Sequence, residues 1–201
     1  MYPNPTLTLT LTLTLTLTLT LGAHVGGGAK YNIPLCAKIA RRMGCDAFIP
    51  ETRYAPDHSV NDGIADALSA WVYLTKVRFI PANQIMVLGF SSGGGLTLGL
   101  LQRCAQNRSL YGEKAAGGVM IGPWVEYTEC TTSISMNTVS DMIVTQRVYD
   151  CIRPLMPRIC GGSSQEERYA ASPLYKSMYD LPAIHLSCSN HEATRDEAFL
   201  T

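Results

Sequence analysis

Ile85-Met86-Val87-Leu88-Gly89-Phe90-Ser91-Ser92-Gly93 joins an apolar run to a glycine-framed serine, and Gly94, Gly95, Leu96 and Leu98 follow in a stretch of helical character. The bare pattern G-x-S-x-G arises by chance in about one chain in ten of this length. Its place between a strand and a helix gives it meaning. A turn that tight forces the serine into a strained backbone conformation, and only glycine tolerates the crowding two residues to either side. The pattern predicts that Ser91 projects its Oγ from the turn as a nucleophile. The N–H of Ser92, at a helix N-terminus, would then face a developing oxyanion.

Outward from this turn the chain alternates helical and extended signals. Residues 33–43 read as a helix, with Pro34 in a permissive first-turn position and Gly44 as the stop. Residues 46–50 read as a short strand, and Asn61 or Asp62 as the cap of a helix carrying Ile64, Leu68, Trp71, Val72 and Leu74 at roughly helical spacing. A strand over 85–89, a helix over 93–106, a strand over 117–121, a helix over 140–155 and a last strand over 183–187 complete the series. Strands separated by helices of such length pair in parallel, and near-continuous apolar strands imply helices on both faces. The fold class is therefore α/β, a doubly wound, mostly parallel sheet, with its chemistry at the carboxyl ends of the strands.

Residues 6–21 are eight Thr-Leu dipeptides, a period of two that puts every leucine on one strand face and every threonine on the other. At about 3.3 Å per residue the run would span roughly 53 Å, so at most half of it is expected to pair inside a sheet of this size. The rest is uncharged, proline-free and rich in β-formers, which marks an aggregation hazard. The chain thus divides into a low-complexity segment, residues 1–21, and one domain over 22–201. Hydrophobic residues make up 46% and charged residues 16%, which suits a buried sheet. Sixteen basic side chains balance sixteen acidic ones, so no stripe exists to follow phosphates and a nucleic-acid partner is not expected. Seven cysteines without a C-x-x-C pair argue for reduced, mostly buried thiols instead of a disulfide framework. The N-terminus has neither a basic region nor a continuous apolar one, so no signal peptide or transmembrane segment is expected and the cytoplasm is the expected compartment.

His24-Val25-Gly26-Gly27-Gly28 offers flexible backbone amides of the kind that complete an oxyanion hole, although a plain glycine turn has the same composition. Thr52-Arg53-Tyr54-Ala55-Pro56-Asp57-His58, Gly89-Phe90-Ser91-Ser92-Gly93-Gly94, Gly122-Pro123-Trp124-Val125-Glu126-Tyr127-Thr128 and Ala171-Ser172-Pro173-Leu174-Tyr175 follow in order. They match the Y-R-L-A-P-E-H, G-D-S-A-G-G, S-P-W-V-D-L-T and A-S-P-L-Y stretches of one family. From about Gly26 onward the chain resembles the hormone-sensitive-lipase group of α/β hydrolases, which includes bacterial family IV esterases and arylacetamide deacetylases. The resemblance implies a serine hydrolase acting on small-molecule carboxylic esters through an acyl-enzyme on Ser91. It implies an oxyanion hole from Gly26, Gly27 and Ser92, and no cofactor or metal. It admits a homodimer. It also implies a catalytic acid in a D/E-x-L-x-D-E turn, matched by Glu192-Ala193-Thr194-Arg195-Asp196-Glu197, with Glu192 as the acid and Asp196 and Glu197 opening the final helix. Asp66 falls where the helix after the Arg53 stretch usually carries an acid.

The sequence departs from the family pattern in three places. The family's histidine comes from beyond one further helix and strand, and none of the four histidines here fits that role. His24 lies in the glycine loop, His58 in a surface turn, His185 on an apolar strand and His191 beside the acid. Without a general base a serine hydroxyl stays protonated near neutral pH, so turnover is expected to fall by orders of magnitude. Val25 interrupts the family's His-Gly-Gly-Gly. The Thr-Leu run stands where an apolar strand is expected, and the family's final strand is missing, so the fold is expected to be incomplete at both ends, the missing final strand leaving an open sheet edge. A non-catalytic ligand-binding protein on the same fold is the alternative reading. His191-Glu192-Ala193-Thr194-Arg195 begins like a zinc-binding helix, but Arg195 stands where the second histidine belongs, so metal is not expected there.

Overall fold

The computed structural model describes residues 15–19 and 22–201. The remainder of the Thr-Leu run lies outside the described residues. Five strands, β1 (Leu15–Leu19), β2 (Asp46–Phe48), β3 (Ile85–Phe90), β4 (Gly117–Ile121) and β5 (Ile184–Ser187), form one sheet in the order β2-β1-β3-β4-β5, every pair parallel. The crossovers carry helices α1 (Ala29–Met43), α2 (Val60–Val72), α3 (Ser92–Gln106) and the short α4 (Arg108–Tyr111). After β4 come α5 (Thr132–Asn137), α6 (Gln146–Ile152), α7 (Met156–Cys160) and α8 (Gln165–Ala171), and α9 (Arg195–Leu200) follows β5. This is the doubly wound α/β architecture read from the alternation of strand and helix signals.

Five residues of the Thr-Leu repeat occupy a central strand. Leu15, Leu17 and Leu19 pack with Ile85, Val87, Ile64, Leu96 and Trp71 on the face covered by α2 and α3. The alternation turns Thr16 and Thr18 to the opposite face, where α1 packs over β1 and β2. Both threonines are buried there. A period of two ordinarily means one wet face; here a helix covers the polar face as well, and Thr16 Oγ1 donates to the Asp46 carbonyl at 3.3 Å. The first crossover runs outward from β1 to β2 and the second returns past β1 to β3. The carboxyl ends of β1 and β3 therefore flank a topological switch point. Residues 22–28 and Ser91 leave the sheet at those two ends.

Several boundaries differ from the sequence reading for local reasons. Helix α1 begins at Ala29, so Pro34 sits inside it and, lacking an N–H, denies the Lys30 carbonyl its helical partner. Ser59, not Asn61 or Asp62, caps α2; Asp62 is the third helical residue of a capping box, its carboxylate accepting from the Ser59 N–H at 2.8 Å. The helix expected over 140–155 is broken. The Asp141 carboxylate accepts from the Ile143 and Val144 amides at 2.7 and 2.9 Å, which takes this stretch out of helical conformation, and Thr145 caps a new helix. Of the seven cysteines, all free thiols, only Cys36, Cys104 and Cys160 are buried, and Cys130 and Cys151 are exposed. Strand β5 lies at one end of the sheet order with His185 and Ser187 exposed. Among the described residues no helix is long and apolar enough to cross a membrane.

Placing the Thr-Leu repeat in the core has a direct consequence for stability. Leu17 is 0% exposed, so Leu17→Ala is expected to lower the unfolding free energy by about 3 kcal/mol. Urea titration checks this, and a loss below about 0.5 kcal/mol would place Leu17 outside the core.

Candidate active site

Ser91 has φ 52° and ψ −122° between the end of β3 and the first residue of α3. Three backbone hydrogen bonds hold this unfavourable conformation. The Ser91 N–H donates to the Ile121 carbonyl at 3.0 Å, and the Ser91 carbonyl accepts from Gly94 at 2.8 Å and Trp124 at 3.0 Å. The crowding expected around the serine is present: a Cβ on Gly89 would stand 2.1 Å from the Gly93 carbonyl oxygen. Gly94 and Gly95 permit close approach too, though to the loop after β4 instead of the sheet, since a Cβ on either would meet Pro123 at 2.6 Å or the Trp124 carbonyl at 2.4 Å. The hydroxyl of the half-buried Ser91 hydrogen-bonds none of the described residues.

The glycine loop lies across from the start of α3, for His24, Gly26, Tyr54, Ser92 and Leu96 line one small crevice. Within the loop the amides differ. Gly26 donates to the Gly22 carbonyl at 3.1 Å in a turn that also ties Val25, so its N–H is already committed. The amides of Gly27 and Ser92 bond to no other described residue. Asn32 holds the loop from below, its Nδ2 donating to the carbonyls of Gly27 at 2.9 Å and Gly28 at 3.0 Å. Glu51 holds it from the side, accepting from the Ala29 amide at 2.8 Å and the Tyr54 hydroxyl at 2.6 Å. A carboxylate at the first amide of α1 is favoured by the helix dipole. Burial, with Glu51 alongside, pushes the Tyr54 hydroxyl up to about 12. Neither Asn32 nor Glu51 was singled out by sequence pattern, because each acts through side-chain to backbone contacts that spacing does not encode.

Glu192 lies in the turn after β5, half-buried against Gly122, where a Cβ would come within 2.8 Å of its Oε2. Gly122 has φ 51° and follows Ile121, whose carbonyl holds the Ser91 amide. The candidate acid and the candidate nucleophile therefore flank the same residue pair at the end of β4. Oε2 of Glu192 is buried without a hydrogen-bond partner, and burial, with Asp141 adding like charge, pushes its carboxyl above the usual range. Asp196 and Glu197 do stand in the first turn of α9, and each also reaches back. Asp196 accepts from the Ser133 amide at 2.8 Å, and the fully buried Glu197 accepts from Val125 and Glu126 at 2.7 and 2.9 Å. Asp66 takes Arg53 in a bidentate pair, tying the loop after β2 to α2.

Among the described residues no histidine hydrogen-bonds Ser91 or the Glu192 carboxylate. His24 is buried against Trp124, its Nε2 sharing a hydrogen bond of 3.0 Å with the Tyr127 hydroxyl. His185 and His191 are exposed. Among the described residues no group of three or more His, Cys, Asp or Glu side chains is placed to hold a metal ion.

Burial lowers the His24 ring from 6.5 to about 3. The unfolded chain takes this proton first, so the contribution to stability is complete above pH 6.5 and declines as pH falls toward 3, by up to about 1.4 kcal/mol per unit. Ring nitrogen NMR is expected to find His24 neutral at pH 5, and a midpoint near its ordinary value would contradict the burial.

The chain aligns with an esterase/lipase from an uncultured bacterium at TM-score 0.82 and 22% identity, covering 93% of this chain and 60% of that one. An esterase of the bacterial hormone-sensitive lipase family gives 0.81 and 24%, with 93% and 60% coverage, and a hormone-sensitive lipase from a metagenome library 0.80 and 23%, with 93% and 62%. The chain thus spans about 60% of the length of the solved structures it matches, and at these identities the likeness shows the fold. No curated protein matches it by sequence. Residues 21–200 match the model of a family described as alpha/beta hydrolase fold, and the chain belongs to that family.

Proposed function

We propose that this chain carries the acyl-transfer core of a carboxylic-ester hydrolase. Ser91 Oγ attacks the acyl carbon of a small ester while its proton passes to a histidine from outside residues 1–201. Glu192 orients that imidazole and balances its charge. The carbonyl oxygen, now anionic, is received by the amides of Gly27 and Ser92. Collapse breaks the ester C–O bond, the alkoxide leaves with the proton from the imidazolium, and water releases the acid from Ser91 by the same route. The observation that carries the reading is the positive-φ serine at the N-terminus of a 15-residue helix, with the adjoining Ser92 amide unpaired. A helix dipole and free backbone donors are worth most where charge develops.

Binding without turnover is favoured by one observation: among the described residues no histidine bonds Ser91 or Glu192, so residues 1–201 alone are expected to turn over esters orders of magnitude more slowly. Solution imidazole separates the two readings, because it supplies the base. With p-nitrophenyl acetate and residues 1–201, imidazole is expected to raise turnover by about tenfold above its own catalysis, through an acetyl adduct on Ser91 detectable by mass. Ser91→Ala is expected to abolish both the increment and the adduct. An increment that survives Ser91→Ala would overturn the hydrolase reading, and ester binding without any adduct would establish the binding protein.

A further inference from the structure

The turn that bears Glu192 closes on itself through the Glu192 N–H to the Ser189 carbonyl and the Arg195 N–H to the Glu192 carbonyl, both at 3.2 Å, and is tied to one distant segment by side chains. Both polar atoms of the peptide unit joining Glu192 to Ala193 are taken by that segment. The Glu192 carbonyl accepts from Asn137 Nδ2 at 2.8 Å, and the Ala193 N–H donates to Asp141 Oδ2 at 2.8 Å. Asn137 Nδ2 also donates to the Asn190 carbonyl at 3.1 Å. Ser133 secures the following residues, its hydroxyl donating to the Ala193 carbonyl at 2.8 Å and accepting from the Asp196 amide at 3.1 Å. Asn137 and Asp141 are themselves linked, the Asp141 amide donating to the Asn137 carbonyl at 2.7 Å.

We infer that Asp141, together with Asn137, is a positioning residue for the acid: it fixes the peptide plane from which the Glu192 side chain departs toward Gly122. This rests on the assignment of Glu192 as the acid in the preceding section. The chemistry of Asp141 suits the task. It is buried, and all three of its partners, the amides of Ile143, Val144 and Ala193, are donors. Only a carboxylate offers acceptors on both oxygens. An asparagine would turn an N–H2 toward an N–H and lose one side of the bracket. Two backbone bonds at 3.2 Å close the turn but leave the Ala193 amide to a side chain, so Asp141 and Asn137 help set the plane of the peptide that joins Glu192 to Ala193. An acid misplaced by a fraction of an ångström would orient an imidazole poorly while leaving ester binding intact, because the substrate contacts Ser91, Gly27 and Ser92 and not this turn.

The test uses Asp141→Asn and the milder Asn137→Ala in residues 1–201, with two readouts. Amide hydrogen exchange reports the bracket without substrate. Ala193 is expected to exchange about tenfold faster in Asp141→Asn, while Val87 and Val119 in the sheet keep their protection. Imidazole-supported hydrolysis of p-nitrophenyl acetate reports the acid. Here kcat is expected to fall about tenfold in Asp141→Asn and about threefold in Asn137→Ala, with KM unchanged. An unchanged Ala193 rate, a loss of protection spread equally over the sheet, or a change confined to KM would each overturn the inference. If the parent chain shows no turnover that depends on Ser91, the hydrolase reading fails on that result alone. Ala193 exchange then still decides whether Asp141 brackets the turn.

Discussion

Everything at the carboxyl end of the sheet depends on one backbone constraint, the holding of Ser91 at positive φ. The cost of that conformation is of order 1–3 kcal/mol for a residue with a Cβ. It persists because the Ile121 carbonyl takes the Ser91 amide, and Gly94 and Trp124 take the Ser91 carbonyl, so relaxation to a helical or extended geometry would break bonds on both sides of the residue. The glycines follow from this. Gly89 lets β3 pass under the start of α3, and Gly94 and Gly95 let α3 rest on Pro123 and Trp124. The end of β4 and the loop after it are therefore part of the elbow, since Ile121 supplies the acceptor, Trp124 the donor, and Pro123 and Trp124 the packing surface.

That loop is irregular and deeply buried, and carboxylates do the work that a strand ladder would otherwise do. Glu126 and Glu197 are both 0% exposed. Glu126 accepts from the Thr128 amide and hydroxyl and from Tyr175, while Glu197 accepts from Val125 and Glu126. Burial, with Glu126 and Asp196 adding like charge, pushes the Glu197 carboxyl well above its ordinary range, against which two backbone donors pull. Acids converging on amides at the end of β4 thus fix a non-repetitive backbone. Leaving any one of those amides unpaired in this interior would cost about 1–3 kcal/mol. Glu192 Oε2 and Glu197 Oε1 are each buried without a hydrogen-bond partner.

The elbow was legible in the sequence because its demands are local: glycine two residues before and after the serine, an apolar strand ahead, small residues behind. The parallel sheet was legible for a similar reason, since helix-length spacings between strands leave few other topologies. The Thr-Leu repeat was half legible. Its period gave the faces of Leu15, Leu17 and Leu19, but nothing local says that α1 buries Thr16 and Thr18 on the other side. The break in residues 140–155 was invisible to periodicity because Asp141 competes for backbone amides, and that competition was settled by Ala193, which is 52 residues away. Asn32, Glu51 and Asn137 escaped notice for the same reason. Each holds a carbonyl or an amide of another segment, and the sequence records neither the partner nor the approach. The Gly26 amide is bonded within its own turn, to the Gly22 carbonyl, a contact that the glycine pattern does not encode.

A high-resolution crystal structure of the protein after reaction with a phosphonate ester would test the elbow and its donors together. The account predicts phosphorus bonded to Ser91 Oγ, Ser91 still at positive φ, and the phosphonyl oxygen within about 3 Å of the amides of Gly27 and Ser92. Ser91 in regular helical geometry, or a phosphonyl oxygen turned away from both amides, would contradict it.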